Sequence, residues 1–560
     1  MIRRNTGSGP WPASRTLLFA VVLAVSPLCA VLAVAGYEAG RSQASARHMM
    51  AASAHPLATR AGLEILANGG NAVDAAVAMA FAIGVVEPHA SGIGGEGMMM
   101  VFLAESKTAV AIDYKSMASA GKGSGSSTPR SGYGAAAVPG SVAGLCMAVQ
   151  SYGSRPLSEV IAPAVRLAEN GFEASAALAA AVTDRFETVL ADEPLAAVFC
   201  PHGLPIEQGA TLRMPELAAT LRRIGNRGEA AFYQGETARA IAEAAAAGGG
   251  GMTVEELAAY RPVVRTPLRG RYRGYDVVTA PGPTGGLAVL ETLNVLGRFN
   301  IGRRPPLSPE TVHLVTEALR RGYSDYRRYV GDPAFVDVPV KGLLSRSYRR
   351  RRAATIRLDA ISAPVVTAGE PPEWESPSTT SLVAVDAAGN LVALTQTLSD
   401  HFGAAVMVPG TGIILNNEMK NFSSKGSNVY APGKRPRTTI APTLIFRKSR
   451  PVAALATPGS SRIVATTTLV VVNLLDFHME LQEAVDAPRY FARDTDQRMF
   501  VEASLPQKTV ESLSRLGYSI EVLRERDPFF GGVQAVVIDP KSGLRFGAAD
   551  PRRDGTAEGL

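Results

Sequence analysis

The chain has little cysteine and little histidine: three cysteines and seven histidines in 560 residues. Cys29 falls in an N-terminal apolar run. Cys146 and Cys200 are left, and these could pair in an oxidising compartment but are not a framework on which the fold depends. His48, His55, His89, His202, His313, His401 and His478 show no HExxH and no paired spacing, and Cys200-Pro201-His202 reads as a surface turn, so no metal is expected. Phosphate-binding signatures are also missing. Asn68-Gly69-Gly70-Asn71 is glycine-rich, but no GxxxxGK[ST] run or strand-GxGxxG-helix context exists, and close packing is the better explanation. The net charge of +7 is mild for this length, and no aromatic-interleaved basic repeat supports nucleic-acid binding. Arg346 and Arg349-Arg350-Arg351-Arg352 read as a solvated helix face or linker.

What is present is an ordinary globular composition, 46% hydrophobic and 19% charged, which argues against disorder. Residues 16–35 form an uncharged apolar run behind Arg3, Arg4 and Arg15. Residues 1–36 are therefore expected to be a signal peptide or a retained membrane anchor. The rest of the chain would be exported, to a periplasmic or extracellular location.

Helical spacing over residues 57–85, broken at 68–71, predicts helix, turn, helix. The run Ala244–Gly251 ends a helix, and Thr253-Val254-Glu255-Glu256 opens the next as a capping box. Turns and short strands are expected between Tyr260 and Tyr275. Pro281-Gly282-Pro283-Thr284-Gly285-Gly286 is a turn before a helix at Leu287–Leu296, and Pro442–Phe446 and Val533–Ile538 read as strands.

The most informative segment begins at Ser378-Thr379-Thr380-Ser381. Two β-branched runs flank Asp386-Ala387-Ala388-Gly389-Asn390, a hairpin pattern in which Thr397 falls roughly opposite Thr379. A threonine at the start of a buried strand, behind the Pro-rich stretch Ala368–Pro377, suits a nucleophile released by cutting the chain before it. Its freed α-amine, with an ordinary pKa of about 7.7–8.0, can then serve as base for its own hydroxyl.

Many short motifs in one order surround this hairpin: Asn68-Gly69-Gly70-Asn71-Ala72-Val73-Asp74-Ala75-Ala76, Val86-Glu87-Pro88-His89-Ala90-Ser91-Gly92-Ile93-Gly94-Gly95, Gly331-Asp332-Pro333, Pro409-Gly410-Thr411-Gly412, Asn416-Asn417-Glu418, Lys434-Arg435-Pro436 and Ala549-Asp550-Pro551-Arg552. In these the chain resembles the γ-glutamyltransferase (glutathione hydrolase) family of N-terminal-nucleophile hydrolases, from near Ala51 to the C-terminus. The resemblance implies an α+β fold, a four-layer αββα sandwich made from a proenzyme that cuts itself between Ser378 and Thr379. Residues 46–378 would be the large subunit and 379–560 the small catalytic one, together a heterodimer acting on a γ-glutamyl substrate such as glutathione. No metal, no organic cofactor and no nucleic acid are implied.

Carried onto this sequence, the resemblance makes Thr379 the nucleophile and Thr397 the group that orients it. Gly459 and Ser460 would give backbone N–H groups to the oxyanion, and Lys115, Ser399, Glu418, Asn421, Thr438 and Thr439 would line the glutamyl pocket. Several of these depart from the family pattern. Lys115 stands where an arginine grips the α-carboxylate, Asn421 where an aspartate faces the ammonium, and Ser460 where the second glycine of a pair is usual. These changes leave open a related amidase or acylase for glutaryl-type or poly-γ-glutamate substrates, or a binding homologue that has lost processing. The short stretch Phe422–Gly433 leads to an expectation of an open cleft.

Overall fold

A computed structural model describes residues 43–121, 129–368 and 378–560. The apolar run at 16–35 lies outside them. Among the described residues, no helix is long and apolar enough to cross a membrane.

Two seven-stranded antiparallel sheets lie face to face between helices. The first runs, in spatial order, Thr556–Gly559, Met50–Ser53, Ser378–Val385, Leu391–Ser399, Glu96–Leu103, Thr108–Tyr114 and Val263–Arg265. The second runs Ala44–Ala46, Arg545–Ala549, Gln534–Ile538, Arg450–Ala456, Thr443–Arg447, Tyr275–Thr279 and Leu268–Tyr272. The central strands of the first sheet are apolar at consecutive positions because both faces are covered. Along Glu96–Leu103, Met99 and Val101 pack into one core, with the helices Pro56–Ala67 and Ala72–Val86. Met98, Met100 and Phe102 pack into the other, with the second sheet and the helices Gly286–Leu296, Pro309–Tyr329 and Ile463–Leu475. This is the four-layer αββα arrangement.

The helix Ala72–Val86 is buried along its whole length. A helix apolar all round belongs inside a protein, and its polar start is satisfied by a capping box between Asn71 and Asp74. The capping box at Thr253 and Glu256 is also present, and the arginine run forms the helix Arg346–Ala354. Cys146 and Cys200 are both free and buried, so the pairing left open by the sequence is not made. Burial pushes the thiol pKa of each upward, that of Cys146 to about 12.

The motifs that carry the family resemblance meet in buried polar networks. Asp332 accepts the Arg435 backbone N–H at 2.9 Å, and the Arg435 guanidinium reaches Asp113 at 2.8 Å. Asn416 donates to the carbonyls of Gly94 and Ala137, at 2.9 Å each, and thereby ties two remote turns together. Asp550 joins Arg489 and Arg552, and Arg552 makes a two-pronged pair with Glu502, both bonds 2.6 Å.

Candidate active site

The strand Ser378–Val385 pairs with Leu391–Ser399 as the hairpin pattern predicts, but the register slips at its open end: Ser378 faces Ser399 while Thr380 faces Gln396. Thr379 lies at that irregularity. Its Oγ1 is 3.4 Å from Thr397 Oγ1, and Thr397 Oγ1 in turn accepts the backbone N–H of Ser399 at 2.8 Å. Ser399 has φ of +84°, a strained left-handed geometry for a non-glycine residue.

Across from the threonines is the turn before the helix Ile463–Leu475. Gly459 has φ of +129°, and a Cβ added there would lie 3.0 Å from Gly531 Cα, so glycine is required. Ser460 follows with φ of +50°. Its carbonyl accepts the Thr439 hydroxyl at 2.7 Å, which fixes the turn. The helix that starts at Ile463 adds the positive end of its dipole to this side of the site.

A cavity of about 30 Å³ is lined by Thr379, Thr397, Ser399, Glu418, Lys420, Asn421, Thr438, Thr439, Ile440, Ser460 and Ile463. Eight expected residues therefore converge, with Gly459 immediately beside Ser460. Ser378 is the first residue of the strand. The sequence reading missed Lys420, Ile440 and Ile463. At this size the cavity has room for about one water molecule, and among the described residues the 422–433 stretch does not leave the open cleft expected of it. Phe422 and Tyr430 stack edge to face there, 5.6 Å apart, and Tyr430 Oη donates to the Ser119 carbonyl at 2.7 Å.

Lys115 is the exception among the expected lining residues. It is fully buried behind Thr438, donating to Thr438 Oγ1 at 3.3 Å, and its ammonium is in direct contact with the Glu96 carboxylate. Glu96 also accepts the Ser116 backbone N–H at 2.8 Å. Burial and the nearby Glu418 carboxylate push the pKa of Glu96 up, and Lys115 pulls it back. The other cation at the site, Lys420, contacts Asp400, which also accepts from Asn417 at 2.9 Å.

Glu418 is buried at the cavity wall. Asn421 Nδ2 donates to its Oε2 at 2.9 Å and to Ser399 Oγ at 3.1 Å, while Glu418 Oε1 has no hydrogen-bond partner among the described residues. Both lysines thus have carboxylates of their own in Glu96 and Asp400. Among the described residues, no group of three histidine, cysteine, aspartate or glutamate side chains is disposed to hold a metal ion.

This arrangement sets a threonine hydroxyl at a strand start in one cavity with Ser460 of the Gly459–Ser460 turn and the side chain of Glu418. A family model described as Gamma-glutamyltranspeptidase matches residues 58–560. The chain is 38% identical over 543 residues to an acylase ACY 1 proenzyme of Pseudomonas sp. (strain SE83), covering 93% of this chain and 95% of that one. It is 34% identical over 542 residues to the glutathione hydrolase proenzyme of Bacillus subtilis (strain 168), covering 91% of each. Its fold is similar to the crystal structure of a cephalosporin acylase from Bacillus halodurans, with a TM-score of 0.86 and 30% identity over 100% of this chain and 99% of that one.

Proposed function

The chain belongs to the gamma-glutamyltranspeptidase family, and from that premise we propose that it is a self-processing γ-glutamyltransferase and glutathione hydrolase with Thr379 as its nucleophile. The observation that carries this reading is the Thr379–Thr397 hydroxyl pair at the open end of a strand, in a cavity shared with Glu418, Asn421 and Ser460. Cutting before Thr379 gives a large piece ending at Ser378 and a small piece starting at Thr379, and the two remain a heterodimer because each sheet is built from strands of both pieces. Export of that heterodimer is part of the proposal.

In the reaction, Thr379 Oγ1 attacks the γ-carbonyl while the freed α-amine takes the hydroxyl proton. The backbone N–H groups of Gly459 and Ser460 receive the tetrahedral oxyanion. The leaving amine departs with the proton, and an ester on Thr379 remains. Water then releases glutamate, or an amino acid or peptide amine takes the acyl group. Glu418 and Asn421 meet the substrate ammonium.

A second reading is an acylase for a glutaryl-type chain, which has the distal carboxylate but no ammonium. It is favoured by Lys115 and Asn421 in place of the family's arginine and aspartate, and by the likeness to the two acylases. Steady-state rates on γ-glutamyl and glutaryl p-nitroanilides separate the readings. The first expects γ-glutamyl to be preferred, with release of p-nitroaniline accelerated by glycylglycine. Glutaryl preferred by more than about tenfold, roughly 1.4 kcal/mol in transition-state binding, overturns it.

A further inference from the structure

Once the chain is cut, Thr379 becomes a terminus, and chain ends fray unless something ties them down. In the ladder with Leu391–Ser399, the first paired residue after the cut is Thr380, opposite Gln396; on the other side, pairing with Met50–Ser53 starts only at Leu382. The side chain of Thr380 turns away from the cavity, and its Oγ1 donates to Glu87 Oε2 at 2.8 Å. Both residues are buried.

Glu87 is itself held in register with the rest of the site. It follows the helix Ala72–Val86, and its carbonyl accepts the backbone N–H groups of Ala90 and Ser91 at 2.9 and 3.1 Å. That turn is pinned to the segment bearing Thr397 and Ser399: Leu398 N–H donates to the Ala90 carbonyl at 3.2 Å, and Phe402 N–H to the His89 carbonyl at 2.8 Å. One short path of hydrogen bonds therefore runs from the residue beside the nucleophile, through Glu87, to the strand that bears Thr397.

We propose that Glu87 is a positioning residue: through the Thr380 hydroxyl it holds the strand end so that Thr379 stays aligned with Thr397 and the Gly459–Ser460 turn. This rests on the reading that the chain is cut before Thr379. Glu87 touches no reacting atom, so its effect belongs in turnover and not in substrate affinity.

The test uses the purified, cut protein and the γ-glutamyl p-nitroanilide assay. Thr380→Val and Glu87→Leu are expected to lower kcat about tenfold or more, with KM changed by less than about threefold and the thermal midpoint within about 2 °C of wild type. Thr380→Ser and Glu87→Gln keep the donor and the acceptor and are expected to retain activity. The double variant is expected to be no worse than the poorer single one, because both remove one interaction. If Glu87→Leu does not fold, the Thr380 pair decides the matter by itself. Turnover of Thr380→Val within about threefold of wild type, or loss of activity in Thr380→Ser as large as in Thr380→Val, overturns the proposal. A wild-type chain that is never cut would instead overturn the reading on which it rests.

Discussion

Glu96 and Lys115 form a fully buried ion pair directly behind Thr438, a residue of the cavity wall. Gly97 faces Tyr114 across the two-stranded ladder, so Glu96 and Lys115 are the next residues in register, where the ladder opens towards the site. The lysine that would grip a substrate carboxylate already has a carboxylate of its own, and Thr438 lies between it and the cavity.

Inhibition by small amino and carboxylic acids should reflect this charge arrangement. In the proposed assignment Glu418 meets an ammonium, while Lys115 is occupied by Glu96. 4-Aminobutyrate is expected to inhibit within about tenfold of glutamate, and glutarate more than about tenfold worse, each tenfold being about 1.4 kcal/mol. Competitive inhibition constants measure it, and glutarate equal to glutamate would contradict the assignment.

Thr397 is expected to matter for both self-cleavage and turnover, since its hydroxyl faces Thr379 Oγ1 and is fixed by the Ser399 N–H. Thr397→Ala should slow each by about 10- to 100-fold, the size of one lost hydrogen bond in a buried site. Rates of fragment appearance and of p-nitroaniline release check the two separately.

The Gly459–Ser460 turn, proposed to receive the oxyanion, should tolerate one substitution and not its neighbour. Ser460→Gly keeps the backbone N–H and relieves a left-handed geometry that costs a side-chain-bearing residue about 1 kcal/mol, so kcat should stay within about threefold. Gly459→Ala forces a Cβ to 3.0 Å from Gly531 Cα at a φ of +129° and should lower kcat by about tenfold or more. Steady-state kinetics on the two variants decide it.

Burial lifts the pKa of Glu87 to about 7, against the pull of Arg553 and the Thr380 hydroxyl. A carboxyl raised in the folded state is protonated there at pH values where it is already ionised in the unfolded chain. Its contribution is full below the ordinary value near 4.5, and is lost as pH rises through about 7. The full swing is of order 3 kcal/mol. Glu87→Gln has no such group, so its thermal midpoint relative to wild type should rise between pH 5 and pH 8. An unchanged difference across that range would show that Glu87 does not titrate there.

The hairpin was legible because its two β-branched runs and Asp-Ala-Ala-Gly-Asn turn set the facing of Thr379 and Thr397 by counting. Glu418, Asn421 and the Gly459–Ser460 turn followed from the family's motif order, since nothing local marks them as neighbours. Glu96 was readable in principle. It is a lone acid entering the apolar run Met98–Leu103, and the turn at Glu105–Lys107 puts it opposite Lys115. Lys420 was missed because its partner, Asp400, lies on a separate loop. The link from Glu87 to Thr380 spans 293 positions and needs the packing of a helix end under a sheet, which no spacing rule reports.

The central claim is that Thr379 is released as a new N-terminus and then does the chemistry. Intact mass and N-terminal sequencing of the purified protein beside Thr379→Ala test it most directly. The account predicts two fragments, one beginning at Thr379, that stay associated and turn over a γ-glutamyl anilide, and a single uncut, inactive chain in the variant. An uncut wild-type chain, or a cut before any other residue, would contradict it.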